Sequence, residues 1–260
     1  MIKSIIIAFS TYSRIPMPRV EWNEKSMRYS MCFFPLVGVV IGACQTLIFC
    51  LLRGWLGLGS AATAAVLTAT PVLLSGGIHF DGYLDTIDAK SSYKPAEEKL
   101  KILKDPHTGA FAIIYGIVYM LLYYGCMQEL VADSLECESA AGIFVVAVCY
   151  AYSRILSGLS VVTLRKAKKD GTVADAARAS DRCVKWVLAV LLAVCMAGLL
   201  WIHVWYGLTA IVLGGIVFVY YRHMAYKTFG GITGDLAGYF LQVCELMVLM
   251  GVTLVQSAGF

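Results

Sequence analysis

The chain has 260 residues, 59% of them hydrophobic and only 15% charged, with a mean hydropathy of +0.74. That balance excludes an ordinary soluble domain and a disordered chain, and places the protein in a lipid bilayer. The net charge of +4 needs no nucleic-acid partner, because the way the basic residues are distributed accounts for it.

Apolar runs of about 20 residues, enough to span a hydrocarbon core, fall near 31–52, 61–78, 110–130, 140–162, 184–202, 204–221 and 236–257. They predict an all-α, polytopic membrane bundle of about seven transmembrane helices, with residues 1–260 forming one integral membrane domain. Ile2 to Phe9 is apolar but too short to span, and Pro16 and Pro18 follow it, so a short interfacial or re-entrant helix is expected there. Trp201, Trp205 and Tyr206 at the boundary of two runs read as an interfacial aromatic belt around a tight hairpin. Of the 21 Lys and Arg, all but Arg53 and Arg154 lie in 1–30, 79–109, 163–185 and 222–235. Those segments alternate with sparsely basic ones, so the positive-inside rule puts the amino terminus and all four basic segments in the cytoplasm. The nine cysteines form no C-x-x-C pair and read as small buried hydrophobes, with the Cys126/Cys137 neighbourhood the one exofacial place for a disulfide.

Arg14, just before Ile15-Pro16, is either an interfacial anchor or a guanidinium for a phosphate or carboxylate. Gly38 and Gly42 in the first span make a small-x-x-x-small face for helix packing. The second span ends at Gly76-Gly77, where backbone N–H groups could approach phosphate oxygens. Immediately after it, Asp81, Asp85 and Asp88 stand at helical spacing, so one face carries three like charges that repel one another. An oxygen-only donor set of this kind suits Mg²⁺ or Mn²⁺, the alternative being a solvated acidic cap. His79, two residues before the first aspartate, suits a site role such as holding a hydroxyl or touching a phosphate.

Residues 90–106 carry a short surface helix, after which Pro106 and Gly109 can fold Lys104 and Asp105 back toward the aspartate stripe; His107 reads as a loop histidine. Arg154 is a mid-span positive charge that requires an anionic partner, either a bound substrate or Glu245 on the last span. The block Arg165, Lys166, Lys168 and Lys169 most simply enforces topology, with a substrate-attracting role as the lesser alternative. The segment T-V-A-D-A-A-R-A-S-D is expected to be an amphipathic helix. In F-G-G-I-T-G-D, the residues Gly231, Thr233, Gly234 and Asp235 form a glycine-rich turn that opens a helix, suited to phosphate oxygens or a metal.

The strings R-I-P-M-P, G-G-I-H-F-D-G-Y-L-D-T-I-D, L-K-D-P-H-T-G, S-R in a middle span and G-G-I-T-G-D occur in this order along nearly the whole chain. In that combination the sequence resembles the cobalamin (5′-phosphate) synthase family, the adenosylcobinamide-GDP ribazoletransferases. It departs from the usual pattern at Ala89-Lys90, at Glu98 and at Ala112, none of which removes a carboxylate. The resemblance implies a Mg²⁺-dependent enzyme of the cytoplasmic (inner) membrane, with its site on the cytoplasmic face. The 5′-hydroxyl of α-ribazole or the 5′-phosphate of α-ribazole 5′-phosphate would attack the corrin-side phosphorus of adenosylcobinamide-GDP, and GMP would leave. It further implies Asp81, Asp85, Asp88, Asp105 and Asp235 as metal or phosphate-site residues, with His79, Lys104, Arg14 and Arg154 beside them. A homo-oligomer is left open. Two rival readings stand beside this resemblance. A CDP-alcohol phosphotransferase fails on spacing, since Asp85-Thr86 stand where that signature has Ala-Arg. A cation-coupled transporter would carry its charges near the midplane and show paired repeats.

Overall fold

The computed structural model describes residues 1–136 and 140–259. Twelve helices follow one another among the described residues: α1 (Ile2–Tyr12), α2 (Glu24–Met27), α3 (Ser30–Phe49, continued as a π-turn over Cys50–Trp55), α4 (Ser60–Ser75), α5 (Ile78–Ser91), α6 (Ala96–Ile102), α7 (Ala110–Glu136), α8 (Ala141–Thr163), α9 (Thr172–Ala179), α10 (Val184–Ile202), α11 (Val204–Phe229) and α12 (Gly234–Ser257). Six are long and apolar enough to cross a membrane, and α4 with α5 makes a seventh if the bent pair is counted as one span. The all-α bundle expected from the hydropathy pattern is therefore present, and so are the short helices at 2–12, 96–102 and 172–179.

The bend between α4 and α5 is what positions the site. The sixteen residues of α4 rise only about 24 Å, less than a typical ~30 Å hydrocarbon core, and the chain then turns through 91°. Gly76 (φ +67°) and Gly77 (φ +77°) both adopt the left-handed conformation that glycine takes without a side-chain clash. Their N–H groups donate back to Leu73 O at 3.2 Å and Val72 O at 2.9 Å, a Schellman closure of α4. Arg14 lies across this elbow: its N–H donates to Leu74 O at 2.8 Å and its side chain covers Gly76.

Helix α8 is the axis of the bundle, with 83% of its apolar stretch buried. Against it α3 packs backbone to backbone, since a Cβ on Gly38 or Gly42 would overlap the carbonyls of Tyr150 and Ala147. This is the packing role expected of that glycine pair. Between α8 and α12 the buried Arg154 Nη1 donates to Glu245 Oε1 at 2.5 Å and to Tyr150 O at 2.8 Å, while Ser153 Oγ donates to the same carboxylate oxygen at 2.8 Å. Helices α10 and α11 are joined by His203 alone and fold back as a hairpin, with Gly207 against the Leu199 carbonyl. The cysteines of the described residues are free thiols, and Cys137 lies outside those residues.

Candidate active site

The crossing of α5 over α12 brings the two acidic segments together. Gly82 and Gly238 make it possible: a Cβ on Gly82 would lie 2.8 Å from Asp235 O, and one on Gly238 would lie 2.9 Å from His79 O. The helices therefore meet with no side chain between them, which sets Asp81 and His79 beside the first turn of α12. Asp81, His79 and Asp235 all line one cavity of about 180 Å³, closed on its other sides by Tyr12, Phe34 and Ser157. His79 is buried, its ring centroid 6.0 Å from those of both Tyr12 and Phe34, and its Nε2 has no hydrogen-bond partner. One turn further along α5, half-buried Asp85 feels the charges of Asp81, Asp235 and Asp88.

A second cavity, of about 260 Å³, adjoins the first and shares Thr172, Val173, Gly234 and Asp235 with it. Its walls carry Lys104, Lys166 and Lys168. Thr233 caps α12 here, its extended backbone (φ −128°, ψ 177°) letting Oγ1 accept from Leu236 N–H at 3.2 Å. The first turn of α12, at the positive end of its dipole, thus lines a space whose walls carry Lys104, Lys166 and Lys168 together with the carboxylates of Asp170 and Asp235. Burial pushes the Lys166 and Lys168 ammoniums below the usual lysine range; for Lys168 the charge of Lys104 adds to this, while Asp235 and Asp170 oppose it. The first turn of α12, Lys104 and the segment carrying Lys166 and Lys168 line the larger cavity together, while the buried Arg154–Glu245 pair lies in the middle of α8 and α12.

The sequence model of the family described as cobalamin-5-phosphate synthase matches residues 4–253. The chain belongs to the cobalamin-5-phosphate synthase family. It is 44% identical over 257 residues to an adenosylcobinamide-GDP ribazoletransferase of Lachnoclostridium phytofermentans, covering 98% of this chain and 95% of that relative. Enzymes of the same name from Clostridium perfringens and a Shewanella species are each 30% identical, over 96% and 97% of this chain and 98% and 94% of their own lengths. No solved structure matches the chain.

Family membership leaves the role of each residue to be read from its position. Asp81, Asp85 and Asp235, His79, Lys104, Thr233 and Gly234 come to the two cavities or stand one turn from them. Asp88 is engaged elsewhere: Oδ2 accepts from Gly109 N–H at 2.6 Å and Oδ1 from Ala112 N–H at 2.9 Å, so it caps α7 from a distance. Asp105 sits in an exposed loop, where Oδ1 accepts from His107 N–H at 3.0 Å and lies 2.7 Å from His107 Nδ1. The His107 hydrogen bonds hold its carboxyl below the usual carboxylate range. Gly76 and Gly77 do not offer phosphate donors, because the capping bonds of α4 take both N–H groups. Gly231 serves packing, lying so close to residues 165–167 that a Cβ would come within 2.5 Å of Ala167 N. Arg154 is committed to Glu245 rather than to a bound substrate.

Lys166 and Lys168, expected first of all to enforce topology, line the larger cavity, and Tyr12, to which the sequence assigns no role, lines the smaller one. Among the described residues no group of three or more His, Cys, Asp or Glu side chains is gathered tightly enough to hold a metal by itself. That is compatible with Mg²⁺, which generally binds through one or two carboxylates and completes its shell with substrate phosphates and water. Asp81 and Asp235, which line the smaller cavity, with Asp85 one turn further along α5, are oxygen donors of the kind such an ion takes.

Proposed function

We propose that the protein transfers the adenosylcobinamide phosphoryl group from adenosylcobinamide-GDP to α-ribazole or α-ribazole 5′-phosphate, releasing GMP. The observation that carries this reading is the meeting, at Asp235, of a cavity holding a buried, unpartnered histidine with a cavity lined by three lysines. A group transfer between two bulky substrates needs two adjoining seats that share a reacting centre.

Mg²⁺ held by Asp81, Asp85 and Asp235 would neutralise charge on the diphosphate. The rest falls to the chain's own side chains. A ribose hydroxyl of the acceptor forms a new P–O bond to the corrin-side phosphorus. The bond from that phosphorus to the bridging oxygen breaks, and the oxygen leaves with its electron pair on GMP. His79 Nε2 takes the hydroxyl proton, a role supported by its place beside Asp81 in the smaller cavity. The Tyr12 and Phe34 rings that flank His79 keep water out and offer flat surfaces to an aromatic base. By the positive-inside rule, the basic residues at this end of the bundle support a cytoplasmic site with the amino terminus inside.

The test is reconstitution. Purified protein with adenosylcobinamide-GDP, α-ribazole and Mg²⁺ is expected to release GMP and form cobamide, and an Asp85→Asn variant that inserts normally is expected to lose that activity. Cobamide formation by the variant at the wild-type rate would contradict the reading.

A further inference from the structure

The lysines of the larger cavity are held by a device that topology alone does not explain. Residues 165–167 run alongside 231–232 as an isolated parallel bridge: Ala167 N–H donates to Ile232 O at 3.0 Å, and Ile232 N–H to Arg165 O at 2.9 Å. Alternate residues of an extended segment share a face. Lys166 and Lys168 accordingly line the same cavity, while Ala167 and Gly231 allow the two backbones to touch. Lys166 Nζ donates to Leu164 O at 2.7 Å and Lys168 Nζ to Leu100 O at 3.1 Å, each using one of three ammonium donors.

Lys104 lines the same cavity, and Asp170 and Asp235 are the carboxylates that share its wall. Among the described residues none of the three lysines forms an ion pair. Three like charges beside the positive end of α12, offset only in part by Asp170 and Asp235, favour an anion seated among them.

Building on the reaction proposed above, we infer that Lys166 and Lys168, with the opening turn of α12, seat the phosphate of the departing guanosine nucleotide. This phosphate gains charge as the bridging P–O bond breaks, so cations fixed at its seat stabilise the transition state more than the bound substrate. The acceptor then takes the smaller cavity, and Asp235 stands at the boundary.

The experiment is equilibrium binding of GMP, with guanosine and α-ribazole as separate probes, to the purified full chain in lipid nanodiscs with Mg²⁺. Wild type is expected to bind GMP and to bind guanosine at least tenfold more weakly. Lys166→Ala and Lys168→Ala are each expected to weaken GMP roughly 10-fold or more, as loss of a charged hydrogen bond does, and to leave α-ribazole binding unchanged. Lys101→Ala, on the exposed face of α6, is expected to behave as wild type. The assignment is overturned if wild type binds no GMP, if guanosine binds as well as GMP, or if the two cavity variants keep wild-type affinity. It is also overturned if they lose both ligands together, since the lysines would then be supporting the fold. Lysine-dependent GMP binding by a protein that makes no cobamide would instead sink the proposed reaction while supporting the seat.

Discussion

Gly82→Ala is the smallest change that separates the acidic segments without removing a charge. The added Cβ would lie 2.8 Å from Asp235 O, 2.9 Å from its Cα and 3.2 Å from its C, all backbone atoms of a packed helix turn. Ordinary contact begins near 3.4 Å, so α5 has to retreat from α12 by about 0.6 Å at its closest point, 3.4 less 2.8. Displacements approaching 1 Å cost about 10²-fold in rate where catalysis depends on positioning, so cobamide formation is expected to fall by one to two orders of magnitude. Overpacking costs about 1–3 kcal/mol, partly offset by the better helix propensity of alanine, about 1 kcal/mol; the variant should therefore still fold. The assay is initial rate of GMP release beside thermal unfolding in detergent, with Gly215→Ala, where a Cβ meets nothing within 4 Å, as the control. A Gly82→Ala enzyme at wild-type rate would refute the view that the α5–α12 crossing sets the site.

Removing one partner of the buried Arg154–Glu245 pair, by Arg154→Met or Glu245→Leu, is expected to cost about 3–5 kcal/mol through the charge left behind. The double variant should lose less than the sum, and additive losses in a double-mutant unfolding cycle would show that the two are not coupled. Asp88→Ala deprives α7 of its long-range cap and is expected to cost about 1 kcal/mol, within the usual range for caps. It should reduce GMP release far less than Asp85→Asn does, and equal losses would mean that Asp88 works in the reaction itself. Lys90 Nζ donates to Tyr220 OH at 3.0 Å and Tyr239 OH at 3.1 Å, tying α5 to α11 and α12. Lys90→Met is expected to destabilise by about 1–2 kcal/mol, and an unchanged unfolding temperature would count against that tie.

Much of the architecture was legible because bilayer solvation acts on sequence locally. Runs of apolar residues have to be helical when no water can satisfy their backbone groups, so six spans and the hairpin at His203 could be read directly, whereas the run at 61–78 forms α4, which is too short to cross alone and bends into α5. The Arg154–Glu245 pairing was legible for the same reason, since a charge at that depth must find its opposite. Helical spacing likewise put Asp81 and Asp85 on one face. Choices among distant partners were not legible. Asp88 has the same spacing and chemistry as its neighbours, and only the fold reveals that the N–H groups of Gly109 and Ala112 claim it. Gly76 and Gly77 offer N–H groups on paper, but the Schellman closure uses both. The K-A-K alternation of residues 166–168 fits a topology signal equally well until the bridge to Ile232 gives it a face.

Binding of Mn²⁺, as a paramagnetic stand-in for Mg²⁺, tests the central claim most directly when measured in the presence of adenosylcobinamide-GDP. If carboxylates of α5 and α12 together hold a divalent ion on the diphosphate, Asp85→Asn and Asp235→Asn should each lower Mn²⁺ affinity at least tenfold and abolish cobamide formation. Wild-type Mn²⁺ affinity in both variants would contradict the account.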